Sequence, residues 1–235
     1  MQKKFLIPLL IVFFTSCSYL PEPPAKPEGV SITEKRDYLL IEALAGSAPG
    51  RAGLILYPGG LVDPHAYLSL CSAFALSGEG HQVIIAKMPA NLAVLDIKAA
   101  KGILKDFDDR DWVIAGHSLG GAMACSLVKK EKGLFRGMIL MAAYPSGSAD
   151  LSTWQEPVLS ITATEDEVVE WDNYEYGKKI LPPDTQYESI QGGNHAGFGQ
   201  YGEQKGDGVA SISRAEQQAR IVELMQSFFL EHGLE

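Results

Sequence analysis

Trp112-Val113-Ile114-Ala115-Gly116-His117-Ser118-Leu119-Gly120-Gly121 opens with four apolar residues and then turns abruptly glycine-rich before Ala122–Val128. The first four read as a strand buried on both faces. The last seven carry the three- and four-residue apolar spacing of a helix. A strand that enters a helix within so few residues must turn sharply, with Ser118 at the tip. Glycines two before and two after it remove the Cβ atoms that would collide there. A serine at such a tip is presented at the end of the sheet, and the next N–H, that of Leu119, lies at a helix N-terminus without an intrahelical acceptor. A glycine-rich turn in which Ser118 only caps the helix has the same local sequence, so the surroundings must decide.

Working outward, short β-branched runs alternate with helix-length periodic segments. The expected strands are 37–43, 53–57, 82–87, 111–116, 137–142, 158–163 and 186–191. Helices are expected over 65–76, 92–107, 120–130, 172–180 and 211–230. Such alternation predicts an α/β fold, a mostly parallel doubly wound sheet with helices on both faces. Leu54-Ile55-Leu56, Val83-Ile84-Ile85-Ala86 and Met138-Ile139-Leu140-Met141 are continuous apolar runs, as strands covered on both sides require. In sheets of this kind a site forms at the carboxyl ends of the strands, which directs attention to 58–61, 88–91, 117–121, 143–146, 164–167 and 192–195.

A serine hydroxyl becomes a nucleophile when a base takes its proton. Of five histidines, His117 is too close in the chain to turn onto its neighbour's hydroxyl, His81 starts a strand at the far end, and His232 lies in the C-terminal tail. His65, at the start of the first helix, is within range of the pocket. His195 follows the last strand in Gly192-Gly193-Asn194-His195-Ala196-Gly197, a loop of small residues able to fold against the turn, and is the expected base. The imidazole then needs a carboxylate to hold its tautomer. Glu165, Asp166 and Glu167 leave the strand 158–163 together, and an acidic triplet in a loop is equally a solvated turn. For a developing oxyanion, Tyr57-Pro58-Gly59-Gly60-Leu61 offers the backbone N–H of Gly60 or Leu61, to act with that of Leu119.

Together these residues resemble the α/β-hydrolase superfamily, in a compact branch with Tyr-Pro-Gly-Gly-like oxyanion loops. That branch also ends its last strand in a run seen here as Gly193-Asn194-His195-Ala196-Gly197-Phe198-Gly199-Gln200-Tyr201-Gly202. The resemblance covers about 36–230 and implies a triad of Ser118, Asp166 and His195, with Asp166 at the branch's acid position although Ala163 and Glu167 depart from its Gly-x-x-Asp-x-Leu pattern. The order Ser118, Asp166, His195 is that of this architecture. It implies a serine hydrolase that cleaves a carboxylic ester or related acyl bond through an acyl-enzyme, with Gly60 and Leu119 as the oxyanion hole. The same triad serves an acyltransferase, and a binding lipoprotein could keep the fold without turnover. The 15 residues from Ala143 to Pro157 are too few for the helical cap that many lipases and epoxide hydrolases carry there, so no cap domain is expected. No metal or other cofactor is implied, since no His/Cys/Asp group has ligand spacing.

The first 29 residues read differently. Lys3 and Lys4 precede ten uncharged residues, Phe5–Phe14, about half the length needed to span a bilayer. This is the pattern of a signal peptide. Phe14-Thr15-Ser16-Cys17 resembles the lipobox of bacterial lipoproteins, with Phe where Leu is usual, which implies lipidation of Cys17. The stretch 18–29 has four prolines and is expected to be an extended spacer. The expected organisation is a signal peptide over 1–16, a lipidated, proline-rich tether over 17–29, and a hydrolase domain over 30–235. The protein would then sit in the cell envelope, anchored outside the cytoplasm, with a small-molecule or lipid-like ester as substrate. Net charge is −9, from 20 Lys and Arg against 29 Asp and Glu, and loss of residues 1–16 takes it to −11. An acidic chain without a basic run excludes nucleic acid as a partner. Cys71 and Cys125 sit in apolar helical patterns and read as packing residues rather than a bridge.

Overall fold

A computed structural model describes residues 19–22, 27–44, 52–77, 81–107 and 110–234. The stretch 1–16 expected to be a signal peptide, and Cys17, lie outside the described residues. Among the described residues there are eight strands, β1 (Val30–Glu34), β2 (Tyr38–Ala43), β3 (Ala52–Tyr57), β4 (Val83–Ala86), β5 (Asp111–His117), β6 (Gly137–Met141), β7 (Val158–Ala163) and β8 (Gln186–Ile190). They form one sheet in the order β1-β2-β4-β3-β5-β6-β7-β8. β3 through β8 run parallel, whereas β1 pairs antiparallel with β2 and β2 antiparallel with β4. The expected doubly wound sheet is therefore present, with an antiparallel hairpin at one edge. Its central strands β3, β4, β6 and β7 are buried along their whole length, as the unbroken apolar runs of β3, β4 and β6 require; in β7 the buried Ser160 and Thr162 hydroxyls are hydrogen-bonded to the Tyr174 hydroxyl and the Glu188 carbonyl.

Among the described residues five α-helices form, α1 (Leu68–Ala75), α2 (Ala99–Ile103), α3 (Leu119–Lys130), α4 (Trp171–Lys178) and α5 (Arg214–Glu231). On one face of the sheet Phe74 of α1 packs with Ile221, Met225, Phe228 and Phe229 of α5. On the other, Leu127 and Val128 of α3 and Ile103 of α2 cover Ile55, Ile114 and Met138. α5 starts where Ser213 accepts the N–H of Glu216, a Ser-x-x-Glu N-cap that places the first turn. Cys71 and Cys125 are buried free thiols, one in each core layer, and burial pushes both up from the usual thiol range.

Two expectations fail for physical reasons. The helix expected over 92–107 is broken into short 3-10 turns and the five-residue α2. Ala90 and Asn91 take left-handed backbone angles (φ 50° and 55°), and Leu92 is extended. The Tyr57 hydroxyl then donates to the Ile97 carbonyl and accepts the Ala100 N–H, so a side chain rather than a preceding turn fixes where α2 begins. Val94 and Leu95, whose spacing suggested a buried stripe, are exposed. β1 was not anticipated; it is an edge strand with one buried apolar residue, Val30, too short for its alternation to stand out. Residues 19–22, within the stretch expected to be an extended spacer, are bonded to the domain. Tyr19 donates its N–H to the Leu61 carbonyl (2.8 Å), its carbonyl accepts the Asp63 N–H (3.0 Å), and the Glu22 N–H reaches the Gln200 carbonyl (2.9 Å).

Candidate active site

Ser118 stands between β5 and α3 at φ 51°, ψ −122°, a conformation that costs an L-residue roughly 1–3 kcal/mol and persists only where its surroundings impose it. They do so here through close backbone packing. A Cβ on Gly120 would lie 2.2 Å from the Tyr57 carbonyl oxygen, and one on Gly116 2.5 Å from the Gly121 Cα. The Ser118 N–H is bound to the Met141 carbonyl (2.9 Å) and its own carbonyl accepts the Ala122 N–H (3.2 Å). The N-terminus of α3 is thereby seated on the end of β3, which sets Leu119 beside the loop 58–62. A Cβ on Gly60 would stand 3.0 Å from the Leu119 Cδ2.

That loop's donors are nearly all engaged. The Gly59 N–H bonds the Tyr67 hydroxyl (2.9 Å), the Leu61 N–H the Asn91 carbonyl (2.8 Å), and the Val62 N–H the Gly59 carbonyl (3.2 Å). Among the described residues only the Gly60 N–H of these four has no acceptor. Leu119, the first residue of α3, likewise has an N–H with no intrahelical partner. Of the two loop residues considered from sequence, Leu61 is thus excluded as a free donor.

After β7 the chain turns at Asp166, whose side chain points inward while Glu165 and Glu167 remain exposed. Asp166 Oδ1 accepts the N–H groups of Val168 and Val169, both at 2.9 Å. Its Oδ2 lies 2.8 Å from His195 Nδ1, and both side chains are almost wholly buried (0% and 2% exposed). His195 is fixed from behind by residues that sequence reasoning missed. Asp207 accepts the N–H groups of His195 (3.2 Å) and Ala196 (2.8 Å). Gln217 of α5 clamps the backbone of Asn194, accepting its N–H (3.0 Å) and donating to its carbonyl (2.8 Å). Gln217 sits four residues before Ile221 on the buried stripe of α5, and a glutamine on an apolar stripe was the available signal. Asp207, between two glycines in a loop, gave none.

His117 is also buried. Its Nδ1 lies 2.8 Å from the Tyr67 hydroxyl, and its ring centroid is 4.6 Å from that of His195. Burial, and secondarily electrostatic repulsion from the neighbouring imidazole, hold it well below the usual histidine range, so it stands as a neutral ring beside the Asp166–His195 pair. Tyr67 therefore ties His117, next to Ser118, to Gly59 in the loop after β3. The other histidines are elsewhere. His65 is paired with Asp63 (2.7 Å) and does not line the pocket, His81 stacks on Phe74 (4.6 Å), and His232 lies against Phe228.

Ser118 and His195 line one cavity of about 240 Å3, closed by Leu119, Ala122, Ala142, Ala143, Tyr144, Val168 and Val169. Apart from the serine and histidine its wall is almost entirely apolar. The connection from Ala142 to Pro157 contains no helix, so nothing caps the cavity from that side.

A sequence profile of the Alpha/beta hydrolase family matches residues 53–219. A search of curated proteins finds no significant match. Among solved structures, a predicted CIB-like hydrolase from Thermoplasma acidophilum is similar at TM-score 0.62 and 16% identity, over 85% of this chain and 100% of that one. A thermophilic esterase from the planctomycete Thermogutta terrifontis gives 0.59 and 16%, over 91% and 96%. A dienelactone hydrolase from Anabaena variabilis gives 0.63 and 12%, over 86% and 98%.

Proposed function

This chain belongs to the alpha/beta hydrolase family, and from that premise we propose that it is a serine esterase, with Ser118 as nucleophile, His195 as general base and Asp166 as the carboxylate that orients the base. The observation that carries this reading is the buried Asp166–His195 hydrogen bond at 2.8 Å, with the imidazole opening into the same cavity as the strained tip serine. His195 Nδ1–H donates to Asp166, which leaves Nε2 as the proton acceptor. Ser118 Oγ attacks the ester carbonyl as its proton passes to His195, and the tetrahedral oxyanion is received by the N–H groups of Gly60 and Leu119. Collapse expels the alcohol with the proton from His195. Water, deprotonated by the same imidazole, then releases the acid and frees Ser118. Each oxyanion donor contributes about 3–4 kcal/mol to such a transition state.

The cavity is smaller than the roughly 300–1,000 Å3 of sites that enclose a drug-sized ligand. With alanines and valines for walls, it suits a short acyl chain, while the uncapped side leaves room for a bulky alcohol. Cys17 is the lipid-bearing residue in this reading, and the enzyme is anchored to a membrane outside the cytoplasm. The decisive test is fluorophosphonate labelling with hydrolysis of p-nitrophenyl acetate and longer esters. Wild type should label on Ser118 and turn over the shortest chains fastest, and Ser118→Ala should do neither. Undiminished turnover by Ser118→Ala refutes the mechanism.

A further inference from the structure

We infer that the mouth of the site faces the membrane surface at close range, so that the enzyme draws short-acyl esters of amphiphiles from the bilayer that anchors it. This rests on the esterase and lipid-anchor readings above. A proline-rich tether would ordinarily hold a domain away from the lipid, but residues 19–22 are fastened to the rim of the site. Tyr19 is held by Leu61 and Asp63, immediately beyond Gly60, and its ring packs on Tyr201 at 5.4 Å. Glu22 is bound through its N–H to Gln200 and through its carboxylate to Arg214. The segment thus stitches the oxyanion loop to the loop that carries His195. Cys17 is two residues before Tyr19, a reach of at most about 7 Å along an extended chain. Acyl chains on Cys17 therefore bring the bilayer to the mouth.

The surface around the mouth fits that partner. Leu20, Trp171 and Val209 are exposed by 67%, 41% and 90%. Each is fixed to the site's loops: Leu20 follows Tyr19, Trp171 Nε1 donates to the Asp166 carbonyl (3.2 Å), and Val209 follows Gly208, which lies against the Glu165 carbonyl. Val94 and Leu95, just past the Asn91 carbonyl that holds Leu61, add two more exposed apolar side chains. Exposed acids on the same loops (Glu165, Glu167, Glu170, Asp172) oppose adsorption to an anionic surface, so the covalent chains, not charge, must hold the enzyme there.

The test uses the full-length acylated protein in neutral phosphatidylcholine vesicles. Trp112 and Trp154 are buried near the amino ends of the strands, so brominated lipid should quench Trp171 alone, and Trp171→Phe should abolish the quenching. A 20-residue Gly/Ser insertion after Ser18 lengthens the anchor by about 25 Å without touching the docked segment. It should lower hydrolysis of a vesicle-borne acetyl ester of a hexadecyl-coumarin at least tenfold and leave soluble p-nitrophenyl acetate unchanged. Equal rates with and without the insertion, quenching that survives Trp171→Phe, or a mature protein without acyl chains on Cys17 would each overturn the orientation. Failure of the wild type on both esters would instead sink the esterase reading, while the quenching still reports which face meets the lipid.

Discussion

Asp166→Asn should disable the site by reversing the tautomer of His195 while leaving the fold intact. Asp166 Oδ1 accepts two buried N–H groups, from Val168 and Val169, and Oδ2 faces His195 Nδ1 at 2.8 Å. An asparagine keeps the first two bonds only with its carbonyl oxygen at the Oδ1 position, which turns its NH2 toward Nδ1. Nδ1 must then accept, and the proton moves to Nε2, where a base is needed. The flipped amide restores the useful tautomer but strands two buried donors at about 1–3 kcal/mol each. That penalty of about 2–6 kcal/mol corresponds to a loss of roughly 30-fold to 10^4-fold in rate. Wrong-tautomer triads elsewhere lose about 10^4 in kcat, at the top of this range. The measurement is kcat/KM for p-nitrophenyl acetate alongside a thermal melt. In a His195→Ala background the same substitution should cost nothing further. A folded Asp166→Asn enzyme within threefold of wild type, or an additional loss in the His195→Ala background, would show that Asp166 does not act through His195.

Three further outcomes follow from the packing. Gly120→Ala forces a Cβ to 2.2 Å from the Tyr57 carbonyl and should destabilise by at least about 2 kcal/mol, whereas Gly102→Ala, with nothing within 4 Å, should gain about 0.5–1 kcal/mol; urea melts giving the opposite order would contradict the contacts described. Tyr67→Phe removes the partner of both Gly59 N–H and His117 Nδ1 and should cost about 2–4 kcal/mol, lowering kcat more than it raises KM; unchanged stability and kcat would mean the hydroxyl does not hold the loop. Because burial depresses His117 in the folded protein, the unfolded chain takes up the proton first. Its contribution is complete above pH about 6.5 and declines below it by up to ~1.4 kcal/mol per pH unit. His117→Gln should flatten that slope in urea melts between pH 7.5 and 5, and equal slopes would refute the assignment.

The sheet was legible because its inner strands are continuous apolar runs that tolerate no other placement. The turn at Ser118 was legible because its glycines answer a steric demand visible in the chain itself. The helix over 92–107 misled because three- and four-residue spacing records only that apolar residues recur. It does not reveal that a tyrosine from β3 would claim Ile97 and Ala100. Among Glu165, Asp166 and Glu167 local chemistry was silent, since which acid turns inward depends on the Val168 and Val169 amides. The groups behind His195 were least legible. Asp207 acts from a loop without a pattern, and Gln217 reaches Asn194 from a helix 23 residues further along.

The loop after β3, the turn at Ser118, Asp166, His195 and the Gln217 clamp come from five separate segments, in a sheet whose neighbours are parallel and distant in sequence. Parallel pairings close late and slowly. Hydrolytic competence is therefore a property of the completed chain: until α5 docks and Gln217 takes hold of Asn194, the imidazole has no fixed position relative to the serine. In refolding, recovery of activity should trail recovery of secondary structure, and any nick that releases α5 should silence the enzyme with most of the sheet still in place.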